Sequence, residues 1–68
     1  MESVYTVIEI IGTSEKSWED AAKTAITTAS KSLRDLRVAE VKELDIKIED
    51  GTTFFRTKLK VSFKYETE

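Results

Sequence analysis

Hydrophobic and polar positions divide the chain into three strand-like runs and one helical run. In "VYTVIEIIGTS" the residues from Val4 to Ile11 are almost continuously β-branched, aromatic or apolar, which predicts a first strand covered on both sides and ended by Gly12. From Trp18 the period changes. Trp18, Ala21, Ala22, Ala25, Ile26, Ala29 and Leu33 recur at helical spacing on one face, so an amphipathic helix is expected from about Trp18 to Arg34. Ser17 is placed to accept a bond from a free amide of the first turn, and Asp20 three residues on completes a capping-box pattern. Glu19 and Asp20 suit the positive end of this helix, and Lys31 and Arg34 the negative end. The apolar face is mostly alanine, which permits close approach to a sheet and supplies little volume.

The next run, "SLRDLRVAEVKELDIKIEDGTT", changes phase partway. Ala39 and Val41 occupy odd positions, whereas Leu44, Ile46 and Ile48 occupy even ones. Successive side chains of a strand point to opposite faces, so either both faces are buried or the strand carries an extra residue. Asp50-Gly51 is a strong two-residue hairpin signal, since both turn positions favour positive φ. In the last run Phe55, Leu59, Val61, Phe63 and Tyr65 share one face, with Arg56, Lys58, Lys60 and Lys64 on the other. Counting back from the turn pairs Ile46 with Phe55, Asp45 with Arg56 and Glu43 with Lys58. One extra residue near Lys42 and Glu43 then sets Val41 against Leu59 and Ala39 against Val61, and a β-bulge is inferred there.

The order β-α-β-β makes the first two strands parallel in direction, and the hairpin makes the third antiparallel to both. Placing the third strand centrally gives an α+β fold: a three-stranded antiparallel sheet of order 1-3-2, curved around one helix. A single helix covers only one sheet face. The other, with Phe54 and the far side of the first strand, is left for subunit contacts, together with two strand edges.

Composition sharpens this picture. Sixty-eight residues allow one domain, over residues 1–68, near the size at which a lone core is marginal. The chain has no Cys and no His, which removes disulfides and the common zinc sites and leaves oligomerisation as the favoured aid. A formal net charge of −2, from 13 acidic and 11 basic residues, argues against a nucleic-acid surface. No signal-peptide pattern and no membrane-length apolar stretch is evident, so a soluble cytoplasmic protein is expected. Without His or Cys the usual nucleophile–base pairs are missing, and the Ser, Thr and carboxylates form no recognisable catalytic constellation. An enzyme is therefore the least favoured class.

The blocks "VYTVIEIIGTS", "SWEDAAKTAI", "LRDLRVAEVKE" and "TKLKVSFKY", in that order and spacing, resemble the dodecin family along almost the whole chain. The resemblance implies a hollow homododecamer, in many members of which flavins stack in pairs between tryptophans of neighbouring subunits. Two positions depart from the flavin-binding pattern. Val38 and Ala39 stand where those members carry a Trp-Phe pair, and Arg56 stands where they carry a ring-binding glutamine. Val38 offers no π-face, and Trp18 belongs to the helix start. The pattern "RVAEV" with "RTKLKVSFK" is more similar to the calcium dodecin branch, which lacks the tryptophan and is associated with surface calcium.

Calcium takes six to eight oxygen ligands, typically several of them carboxylates. Glu43 and Asp45 lie two apart on one strand, and Glu9 interrupts the apolar first strand. The first two have a commoner role as cross-strand partners of Lys58 and Arg56, and Glu9 can equally block an edge. "DIKIEDGTTFF" is not an EF-hand loop: Lys47 stands at its third position and Asp50 at its sixth, where Asp/Asn and Gly are required. The basic residues of the last strand read as a solvated face. The favoured function is a non-enzymatic shell that stores or sequesters a small ligand or cation at subunit interfaces. Its rivals are a flavin store with a degenerate pocket and a purely structural assembly that meets a protein partner.

Overall fold

The structure, a computed structural model, describes residues 4–64. Its elements are β1 (Tyr5–Ser14), α1 (Trp18–Ala29), β2 (Leu36–Glu49) and β3 (Thr52–Lys64). The strands form one antiparallel sheet of order β1-β3-β2. Tyr65, expected on the inner face of the last strand, lies outside the described residues.

The hairpin forms for the reason its residues suggest. Asp50 and Gly51 both take positive φ, 49° and 79°, the geometry of the turn that matches strand twist. Glu49 lies opposite Thr52, Ile46 opposite Phe55, Asp45 opposite Arg56 and Glu43 opposite Lys58. The register then slips between Val41 and Glu43, pairing Val41 with Leu59 and Ala39 with Val61. The bulge at Lys42 keeps Ala39, Val41, Leu44, Ile46 and Ile48 on one face despite their change of phase. A second irregularity, between Leu36 and Val38, brings Leu36 onto the same face without any change of phase between those two residues to mark it.

Gly12 does not end the first strand, which continues to Ser14. The glycine is buried where α1 crosses the sheet: a Cβ there would run into the Ala21 carbonyl and lie 2.9 Å from the Ala25 Cβ. Its role is close approach, not termination. Coverage of β1 is also one-sided within the chain, because Tyr5, Val7 and Ile11 on the side away from the helix are about half exposed.

The helix ends at Ala29, short of the expected Arg34. Ser30 caps it, its amide and its hydroxyl both donating to the Ile26 carbonyl, and tight turns through Lys31, Ser32 and Leu33 follow. Thr27, Thr28, Ser30 and Ser32 crowd this end, and such residues offer the backbone local bonds that compete with helix. Lys31 and Arg34 therefore stand beyond the last turn. Asp35 then takes φ 55° and turns the chain into β2. At the other end the Asp20 amide donates to Ser17 Oγ at 2.9 Å, as capping requires. The Asp20 carboxylate instead accepts from the Ser14 hydroxyl, at 2.6 Å, tying the helix start to the end of β1.

The core is small. Ala21, Ala25, Leu59 and Val61 are buried, with Ile8, Ile10, Ala22, Ile26 and Leu36 packed partly against them. Thr57 is the buried polar residue among the described ones, and its hydroxyl donates to the Trp18 carbonyl at 2.8 Å.

Candidate functional site

Two surfaces remain after the core is formed. The first is apolar and lies on the helix side of β2. A 14-residue strand is roughly 46 Å long, whereas a 12-residue helix is roughly 18 Å, so α1 cannot cover it. Val41, Leu44, Ile46 and Ile48 line up on that side through the bulge, and all are about half exposed or more, Ile48 to 76%. The stripe runs into a groove between α1 and β2 lined by Ala22, Ile26, Ala39, Val41 and Leu59.

The second surface is the sheet face away from the helix, where charge is arranged in rows across the strands. Thr13, Arg56 and Asp45 form one row; Ile11, Lys58 and Glu43 the next; Glu9, Lys60 and Glu40 the third. Each central position is a cation. Arg56 Nε donates to Asp45 Oδ1 at 2.7 Å and Nη2 to Oδ2 at 2.9 Å, a two-pronged geometry among the stronger kinds of ion pair. Those bonds hold the Asp45 carboxyl below the usual carboxylate range, with the Arg56 and Lys58 charges adding to the effect against some desolvation. Lys58 Nζ lies 3.5 Å from Glu43 Oε1. Ile11, Glu43, Asp45, Arg56 and Lys58 line one shallow recess.

Trp18 links the two surfaces. Its indole N–H donates to the Asp45 backbone carbonyl at 3.0 Å, and its ring meets Phe55 edge-on with centroids 5.0 Å apart. The helix start is thereby fastened to the hairpin at the row that holds Arg56. Nothing in the local pattern announced this bond, because it depends on the three-dimensional overlap of helix and hairpin.

The candidate residues fall as follows. Glu43 and Asp45 come together, each engaged by a cation of β3. Glu9 lies on the opposite side of β3 from them, across from Lys60. Two strand spacings, about 10 Å, and a row of cations separate it from Glu43. Among the described residues no three carboxylates gather in a way that could hold a metal ion. Val38 is exposed on the charged face opposite Ser62, while Arg56 lies six residues further along β3, roughly 20 Å away. One chain does not bring these two positions together either. Among the described residues no helix is long and apolar enough to cross a membrane.

Comparison with known proteins fits this architecture. The calcium dodecin of Mycobacterium tuberculosis is 52% identical over 63 residues, covering 91% of this chain and 89% of the relative. The dodecin of Thermus thermophilus is 40% identical over 67 residues, covering 97% of each. The crystal structure of the calcium-chelating calcium dodecin from M. tuberculosis, described with a novel calcium-binding site, superposes with a TM-score of 0.87 at 49% identity, over 97% of this chain and 96% of that one. With its β-α-β-β order, its 1-3-2 sheet and a match to the Dodecin family model across residues 4–66, the chain belongs to the dodecin family.

Proposed function

We propose that this chain is a single dodecin domain that assembles into a homododecameric, non-enzymatic shell in the cytoplasm, and that the shell stores or sequesters a small ligand or cation, calcium first among them, where subunits meet. The assembly is supported by the uncovered apolar stripe on β2, which a chain with so small a core must bury to be stable. The calcium reading is supported by the 52% identical relative named for that ion.

Because one chain does not gather a carboxylate cluster among its described residues, the ligands of this reading come from several copies. Glu9 is the candidate with no ion pair among the described residues. Flavin is a poor fit: Val38 presents no ring to stack on, and the Arg56 donors already point at Asp45. Riboflavin is expected to bind at least ten-fold more weakly than to a member with an aromatic ring at that position, about 1.4 kcal/mol or more.

Native mass spectrometry and calorimetry test these statements together. A particle of twelve chains is expected. After treatment with a chelator, adding back calcium should release or absorb heat and raise the melting temperature, since a ligand bound only by the folded assembly stabilises it by mass action. A melting temperature indifferent to chelator and calcium would leave the shell without the ion.

A further inference from the structure

We propose that Arg56 and Lys58 are built-in counter-ions that keep divalent cations off Glu43 and Asp45. The recess these residues line with Ile11 contains two carboxylates and two fixed cations, so it is formally neutral where a calcium cage requires an excess of anionic oxygen. The Asp45 oxygens are also committed. Both carboxylate oxygens of Asp45 accept from Arg56, at 2.7 and 2.9 Å. The Asp45 main-chain carbonyl accepts from the Trp18 indole at 3.0 Å. Glu43 Oε1 has the Lys58 ammonium at 3.5 Å.

A metal entering here must displace the guanidinium from Asp45 and then sit near two like charges carried by neighbouring positions of β3. β2 is an edge strand, so alternate main-chain carbonyls face away from β3, and the one at Asp45 is already taken by the Trp18 indole. The pairs are half exposed, and exposed pairs contribute little to stability. Their consequence is therefore selectivity: a surface rich in carboxylates that does not take up metal. This holds whether or not the assembly binds calcium elsewhere, because it concerns one recess of one chain.

Calcium titration of the assembled protein by calorimetry, with particle mass followed by light scattering, provides the test. Replacing both cations, R56Q with K58M, should raise calcium affinity at least ten-fold over the unaltered protein and add about one ion per chain, and adding E43Q to that variant should remove the gain. In the otherwise unaltered protein, Glu43→Gln should leave any calcium binding as it was. If the double variant fails to assemble, K58M alone, which breaks only the 3.5 Å pair, should move affinity in the same direction. Two results overturn the assignment: loss of the native protein's calcium on Glu43→Gln with the particle intact, or no gain in affinity when the cations are removed from a particle that remains assembled. A native protein that binds no calcium while the double variant does refutes the calcium reading of the assembly and supports the counter-ion role.

Discussion

Arg56 holds both oxygens of Asp45 on the charged face, so the titration of that one carboxyl reports the state of the recess. Its folded-state pKa is depressed chiefly by the Arg56 hydrogen bonds. A depressed carboxyl contributes stability above its unfolded pKa and loses it as pH falls through the folded value. Followed by carbon NMR, the Asp45 midpoint should lie below the ordinary aspartate value of about 3.9, and Arg56→Gln should bring it back up. A midpoint that ignores the substitution would mean the pair is not formed in solution. Gly12 presents the opposite case, a residue whose importance is purely steric. Gly12→Ala should destabilise the protein by roughly 1–3 kcal/mol in chemical denaturation at fixed concentration, because the added methyl meets the rigid Ala21 carbonyl and the Ala25 side chain. The charge pairing was readable from spacing once the turn was placed. The glycine was not, since its constraint comes from a helix that crosses it nine or more residues later in the sequence.

At the level of elements, legibility followed the locality of the cause. The turn at Asp50-Gly51, the cross-strand charge pairs and the bulge at Lys42 are all dictated within one hairpin, and counting from the turn recovers the whole register from Val41 to Glu49. The end of α1 was misplaced because Leu33 continues the helical spacing of apolar residues. The structure instead closes the helix at Ser30, whose hydroxyl bonds back to the Ile26 carbonyl, and brings Leu33 back by a turn; a run of Ser and Thr, weak helix formers, outweighs periodicity there. The slip between Leu36 and Val38 has no sequence mark, as it arises where β2 leaves a turn that Asp35 enters with positive φ. The joint between helix and hairpin rests on Trp18, and its two components can be separated. Trp18→Phe keeps an aromatic edge for Phe55 and removes the N–H that Asp45 accepts, so a loss of about 1 kcal/mol is expected. Trp18→Ala should exceed it by a clear margin in the same thermal melts. Equal effects would show that the ring contact with Phe55 contributes nothing.

For the whole molecule, shape and composition lead to the same conclusion. The radius of gyration is 14.0 Å, against about 11 Å for a compact chain of this length, because the hairpin extends beyond the helix that should cover it. The sequence points to partners through its length and its missing Cys and His, but it assigned the uncovered surface mainly to the side away from the helix. There the structure does expose Tyr5, Val7 and Ile11 on β1, while rows of paired charges occupy β2 and β3. The more continuous apolar surface lies on the helix side of β2 instead, a consequence of strand and helix lengths that only element boundaries reveal. Ile48 provides the sharpest test of what covers it. At 76% exposure it contributes almost nothing to the packing of a lone chain, so a monomer should tolerate Ile48→Asp with a change within about 0.5 kcal/mol. In an obligate assembly the same substitution places a charge in a subunit contact, where an unpaired buried charge is strongly unfavourable, and folding is lost together with association. If the proposed assembly forms, light scattering and circular dichroism of the variant should therefore show the assembled mass and the folded signal disappearing together, and the melting temperature of the unaltered protein should fall on dilution. A folded Ile48→Asp protein at full assembled mass would place this stripe outside the subunit contacts.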